Sequence, residues 1–510
     1  MSRNRLVTPK TCDKIGFSME ANVKNSTSST SALASPAKTC VRHEWKWMVA
    51  VLFIFAVFNI VSAPYSPTPW LDEVAYTDPG ASLALEGTFT STLWAERGTP
   101  LWTGNVPLHQ LALAGFFKVF GFSCRVARSA NVVYYTLAIL LICQMIRNYN
   151  ILQTARARWL FFWILLAGTG LTALYRNGRY DTIGCLLYVG WVFCSLQSQR
   201  RPLMLLGVGL AASLMPAAGL VLGPLLLVSG IAAFFLWRWK AFRVLMITGI
   251  GAISGILIMQ FFYQRLGVPC IFKEVLKSNN PLVMSDFTMA TIKNPSYLAA
   301  IAAGILAIVG LQRLHWREAQ ARTAFTLLAL GLLVPVVMFV VGRYQFYYSW
   351  MAIIPASLGA VMLVEHPSVP RFARITGVSL LLAATLLGLP RRCIRIMAAW
   401  EQDQPGAVSR FALKNASPSD VVFLDASMEA FAVYYPLRAT VQTGYWGELP
   451  VNKADLPKIS VVFLPKTGGE AHLHEILGGN WRQVDSQEFG AQKLGFFLGS
   501  RFLLTAYRRF

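Results

Sequence analysis

The strongest constraint on this 510-residue chain is its succession of apolar runs between Trp47 and Leu389. A bilayer core of about 30 Å asks for about 20 apolar residues per helix, and only a helix or a closed barrel satisfies its own backbone polar groups there. Eleven runs fit a helix: 47–63, 126–146, 159–175, 182–197, 202–215, 219–237, 244–262, 297–311, 323–341, 347–364 and 373–389. The fifth and sixth meet at Met215-Pro216-Ala217-Ala218, so they form two spans or one kinked segment. Only 14% of the chain is charged, against roughly a quarter in soluble proteins, which argues against a soluble globule.

Charge then divides the chain. Residues 1–46 carry 8 basic and 3 acidic side chains, residues 47–389 carry 24 and 10, and residues 390–510 carry 14 and 11. The first block, rich in Ser, Thr, Lys and Asn, cannot bury enough surface to fold alone and is expected to be a disordered cytoplasmic tail over 1–45. The second is a membrane domain over 46–389. The third, with twice the charge density, is a water-exposed α/β domain over 390–510. Within it, 421–424, 461–464 and 502–507 read as strands and 403–415, 428–434 and 470–477 as helices. The fold class is therefore mostly α, a polytopic membrane protein of about 11 transmembrane helices with a small C-terminal α/β domain.

Eleven crossings with the N-terminus inside place 20 Lys and Arg on cytoplasmic segments against 10 on longer outer ones, in agreement with the positive-inside rule. The C-terminal domain is then extracytoplasmic, and the protein is a multi-pass component of the cell (inner or plasma) membrane. The net charge of +22, which in a soluble chain points to nucleic acid, is mostly orientation and interface charge, so no nucleic-acid partner is expected. The eight cysteines stand singly, with no CxxC or CxxH pair for a metal or redox disulfide.

Acids are the scarce residues. Between Glu96 and Glu274 the only one is Asp181, in Arg176-Asn177-Gly178-Arg179-Tyr180-Asp181. A carboxylate near the membrane is costly, so it is paired or functional; a local Arg179–Asp181 pair is the simplest structural reading. The first outer loop holds Asp72, Glu73, Asp78, Glu86 and Glu96, half of all acids between 47 and 389. Its start, Pro67-Thr68-Pro69-Trp70-Leu71-Asp72-Glu73-Val74-Ala75-Tyr76, reads as a proline-stiffened descent into a short amphipathic interfacial helix. Asp78-Pro79 reads as a cap and first-turn pair opening a further turn. Structurally, Asp72-Glu73 would suit a helix N-terminus.

These features resemble the polytopic GT-C glycosyltransferases, in particular the branch of lipid A aminoarabinose transferases and protein O-mannosyltransferases. The resemblance spans roughly 47–389. It runs from Asp72-Glu73 after the first span, with Tyr76 and Gly87, through Pro107-Leu108 to Phe120-Gly121 as a second interfacial helix. Arg125 to Arg128, Arg179-Tyr180-Asp181 and Arg343 to Tyr348 before Pro355 complete it. Where the family often has Lys-Pro-Pro-Leu, this chain has Asn105-Val106-Pro107-Leu108, so no lysine role carries over. His109, just beyond, reads as an interfacial polar residue.

The resemblance implies transfer of a hexosyl or pentosyl group from a polyprenyl-phosphate-linked donor to a lipid, glycan or protein acceptor at the extracytoplasmic face, with inversion. It implies Asp72 as the acceptor-activating carboxylate and Glu73 as its neighbour or orienter, since an adjacent acid also raises a carboxyl pKa. Arg128, Arg179 and Arg343 are candidates for the leaving phosphate because the planar guanidinium binds two oxygens; each is alternatively a snorkelling interface anchor. Tyr76, Asp181 and Tyr347 complete the expected substrate site, with Tyr344, Tyr348 and Trp350 as an aromatic belt or a lipid-head contact. No cofactor is required by the residues; a divalent ion shared by Asp72 and Asp181 stays open. A lipid-linked sugar transporter or flippase and a non-catalytic membrane scaffold are the rival classes, the transporter calling for midplane acids and inverted repeats that the sequence does not display.

Overall fold

Every apolar run becomes helix in the computed structural model, which describes residues 36–91, 106–268, 284–311, 318–341, 345–417, 419–424, 430–437, 441–443, 456–490 and 501–510. The helices are α1 (Pro36–Ser62), α2 (Leu71–Leu85), α3 (Pro107–Phe120), α4 (Cys124–Tyr149), α5 (Ala155–Ala167), α6 (Thr169–Tyr175), α7 (Asp181–Ser198), α8 (Met204–Ala218), α9 (Leu222–Trp237) and α10 (Lys240–Arg265). After them come α11 (Pro295–Gly310), α12 (Ala319–Val340), α13 (Trp350–Val364), α14 (Arg371–Glu401), α15 (Gln404–Asn415) and α16 (Glu470–Leu477). Six of these are long and apolar enough to cross a membrane, and α5 with α6 makes a seventh, broken span. The apolar α8, α9 and α11 are shorter, about 22–24 Å at 1.5 Å per residue.

Local chemistry sets the ends. Ser123, Thr154 and Asn294 cap α4, α5 and α11 by accepting from Val126, Ala157 and Tyr297 amides, the oxygen side chains favoured at such positions. Pro107 opens α3 and Gly121, at φ 82°, ends it. One expectation is corrected here, and one open choice is resolved. The run 159–175 is not one straight span, because it bends by 56° at Gly168. Of the two readings of 202–215 and 219–237, two spans or one kinked segment, the structure has separate helices, divided at Gly219 with φ 150°.

Small residues bring the helices together, as they do where packing rather than hydrophobicity drives association in lipid. A Cβ on Gly251 of α10 would stand 2.5 Å from the Gly209 carbonyl of α8. One on Gly359 of α13 would stand 2.6 Å from the Ala324 carbonyl of α12. The arrangement sorts the helices into layers: the apolar window of α13 is 83% buried, whereas those of α1, α10 and α14 are 28% buried. Their exposed residues include Phe53, Ile54, Leu257, Ile258, Leu386 and Leu387, an apolar surface suited to lipid.

The C-terminal block forms a five-stranded mixed sheet of order β2-β1-β3-β5-β4, with β1 (Val421–Leu424), β2 (Val441–Thr443), β3 (Ile459–Leu464), β4 (Trp481–Phe489) and β5 (Phe502–Arg509). Strand β1 pairs in parallel with β2 and β3, and β5 runs antiparallel between β3 and β4. One face of this sheet, with Val408, Phe411 and Phe431, forms a core that also takes in Val74 and Ala75 of α2. Helix α14 is continuous through residue 390 to Glu401, so no break in the chain marks the boundary expected after residue 389.

This corrects the reading of α2. Its ten consecutive residues from Glu73 to Ser82 are all buried, so it is not an amphipathic helix lying on a surface. It is enclosed by the helical domain, α3 and the sheet domain. Asp78-Pro79 does not open a new turn either; the helix runs through Pro79. The Asp78 carboxylate accepts from Ser91 Oγ at 2.9 Å and Tyr434 Oη at 2.6 Å, tying α2 to the C-terminal domain.

Candidate functional site

The two adjacent acids at the head of α2 point to different neighbours and have different environments. Glu73 is fully buried and forms a two-pronged pair with Arg128: Nε to Oε1 and Nη2 to Oε2, both 2.7 Å. Arg128 Nη1 also donates to the Ala63 and Pro67 carbonyls at 2.7 Å each. The Arg128 fork is thus filled by the protein itself, which places this pair in the support of α2, joining it to α4 and to the turn after α1. A Cβ on Gly178 would meet Glu73 Cγ at 3.0 Å, so the loop before α7 closes tightly over the same carboxylate.

Asp72 faces the other way. Its side chain is 22% exposed and bonds Arg179 Nη1. Burial raises its carboxyl above the usual carboxylate range, with the Arg179 charge pulling the other way. Arg179 Nε donates to Asp181 Oδ2 at 2.8 Å, so one guanidinium joins the two carboxylates. Its carbon lies 3.5 Å from the centre of the Tyr347 ring and 5.1 to 5.4 Å from those of Tyr76, Tyr180 and Trp70, an aromatic enclosure that favours a cation. Among the described residues, Arg179 Nη2 and Asp181 Oδ1 are buried without a hydrogen-bond partner.

Asp72, Tyr76, Arg179, Asp181 and Tyr347 therefore meet in one cluster, while Glu73 and Arg128 form an adjacent pair. Arg343, Tyr344 and Glu96 lie outside the described residues. The guanidinium already supplies the positive charge between Asp72 and Asp181, so these two carboxylates do not fit a shared divalent ion, and among the described residues no group of three His, Cys, Asp or Glu is arranged for one.

Three contributors were missed in the sequence. Asn131 Nδ2 donates to the Asn177 and Arg179 carbonyls at 2.5 and 2.6 Å, shaping the loop that carries Arg179. Arg176 binds Asn59 Oδ1, Ser62 and the Ser66 carbonyl, joining that loop to α1. His109 is fully buried, and its Nε2 donates to the Gly178 carbonyl at 2.8 Å. Burial lowers its pKa to about 4, the Gly178 bond opposing and Arg179 assisting, so the imidazole is neutral. The available signal was a polar side chain inside an apolar helix, which costs free energy unless it is bonded. Tyr180 and Tyr348 hydroxyls meet at 2.5 Å, closing the cluster toward α13.

No family model matches the chain, and no curated relative does. Solved structures do. The crystal structure of ArnT from Cupriavidus metallidurans bound to undecaprenyl phosphate superposes with a TM-score of 0.55 at 12% identity, covering 90% of this chain and 97% of that one. The same protein in the apo state gives 0.45 at 12% identity, covering 91% and 98%. The cryo-EM structure of the mycobacterial arabinofuranosyltransferase AftD gives 0.46 at 13% identity, covering 90% and 40%. With its apolar helical bundle and C-terminal mixed sheet, the chain has a GT-C-like fold, similar to that of the ArnT structure.

Proposed function

We propose that this protein transfers a sugar from a polyprenyl-phosphate-linked donor to an acceptor at the extracytoplasmic membrane face, in a single inverting displacement. The observation that carries the reading is the Asp72–Arg179–Asp181 linkage at the partly open head of α2, in a chain whose fold matches a structure bound to undecaprenyl phosphate. Such a transfer needs a base beside the acceptor and a cation beside the departing phosphate. Asp72 and Arg179 provide both.

Their contact supports one order of events. Among the described residues Arg179 Nη2 has no partner, so the donor phosphate can bind there first and then draw the guanidinium from Asp72 as negative charge builds on the leaving oxygen. Asp72, released from its ion pair and raised in pKa by burial, then takes the proton from the acceptor O–H or N–H as it attacks the anomeric carbon. The bond to the phosphate oxygen breaks, leaving polyprenyl phosphate on Arg179. Tyr76 and Tyr347 exclude water around the cation. The acids lie at the start of α2 and α7 rather than in mid-helix, which favours this chemistry over transport.

Membranes containing the protein, incubated with a panel of radiolabelled polyprenyl-phosphate sugars, should consume at least one and release polyprenyl phosphate. A panel left intact by the wild type, with the protein inserted and folded, would overturn the proposal.

A further inference from the structure

We propose that Arg391, Arg392 and Arg395, at the end of α14, form a binding site for the phosphate of an anionic membrane lipid, separate from the Asp72 cluster and independent of the sugar-transfer reading. At 100° per residue the three fall within a sector of roughly 100° on the helix. Among the described residues none of them meets a carboxylate.

Arg392 is anchored: it donates to the Tyr175 hydroxyl at 2.5 Å and the Ala167 carbonyl at 3.4 Å, on either side of the break between α5 and α6. Arg391 is exposed, and among the described residues Arg395 Nε is buried without a hydrogen-bond partner. Like charges four residues apart on a helix repel, and a buried N–H donor left unbonded is rare in a folded protein. One phosphate between the two guanidiniums answers both, since its oxygens accept charge-assisted bonds from each fork.

The surroundings identify the phosphate as a lipid's. Leu387, one residue before Gly388 and four before Arg391, is 69% exposed, and beyond the cluster Met397 is 59% and Trp400 50% exposed. The Trp400 ring stacks on Tyr65 at 4.7 Å, the aromatic pairing of a membrane interface. The cationic band therefore lies between two apolar, lipid-suited surfaces, at the depth of headgroups rather than in open water.

The test uses the full chain in neutral detergent, with lipid binding read by native mass spectrometry. Phosphatidylglycerol should bind at least tenfold more tightly than phosphatidylcholine. Arg391→Gln/Arg395→Gln should weaken phosphatidylglycerol binding by about thirtyfold, and the exposed Arg391→Gln alone by about fivefold, which keeps the test open if the double variant misfolds. Arg200→Gln/Arg201→Gln, in the loop after α7, should leave it unchanged. Equal binding of the two lipids, undiminished phosphatidylglycerol binding by the Arg391 and Arg395 variants, or displacement of the lipid by millimolar inorganic phosphate would overturn the proposal.

Discussion

Replacing Glu73 by Gln removes one charge and no volume, and it separates the two acids of the Asp72-Glu73 pair by their consequences. Arg128 has four hydrogen bonds, two of them to Glu73. An amide can accept only one of those two; its NH2 then faces a guanidinium N–H, donor against donor. Both side chains are fully buried, so water cannot screen the unpaired cation, and breaking such a pair costs about 3–5 kcal/mol. Glu73→Gln should therefore unfold in mixed micelles at markedly lower denaturant than wild type, by that amount. Glu73→Gln/Arg128→Met removes the orphaned charge and should be less destabilised than the sum of the single changes by about 2 kcal/mol or more. A Glu73→Gln variant within about 1 kcal/mol of wild type, or strict additivity in the double variant, would refute the assignment of this pair as the support of α2.

Three further outcomes follow from the geometry. His109 is protonated near 6.5 when unfolded but only near 4 when folded; its contribution is present above pH 6.5 and lost as the pH falls toward 4, by about 3 kcal/mol, so His109→Gln should flatten the acid limb of a stability profile. Gly251→Ala, whose Cβ would meet the Gly209 carbonyl at 2.5 Å, should destabilise by about 1–3 kcal/mol, whereas Gly249→Ala, with nothing within 4 Å, should be neutral in the same unfolding assay. Arg179→Lys keeps a cation but cannot hold Asp72 and Asp181 with one planar fork; transfer should fall about 10- to 100-fold with folding retained, measured as initial rates in proteoliposomes.

What could be read from the sequence was what depends on local composition. Long apolar runs became helices, and strands β1, β3 and β5 were found because apolar side chains cluster there. Strand β4 was not, since Trp481–Phe489 is an edge strand with polar residues on both faces and only its end residues fully buried. The break at Gly168 leaves hydropathy unchanged, so no window over 159–175 registers it. The enclosure of α2 depends on Val408, Phe411 and Phe431, more than 300 residues away, and nothing in 71–85 announces that partner.

The site was legible in part for the same reason. The scarcity of acids singled out Asp72 and Asp181, and Arg179, between them in the structure, stands two residues before Asp181 in the chain. The division of labour between Asp72 and Glu73 was not visible, because neighbours on a helix point in different directions and each partner, Arg179 and Arg128, comes from a distant element. His109, Asn131 and Arg176 act on backbone carbonyls or on α1, contacts that no spacing rule encodes.

The most direct test of the account is the rate of sugar transfer by Asp72→Asn beside wild type, at equal protein in the same proteoliposomes. With Asp72 acting as base, the variant should insert and fold normally yet lose about a hundredfold to ten-thousandfold in rate, while still binding polyprenyl phosphate through Arg179. Undiminished transfer by Asp72→Asn would contradict it.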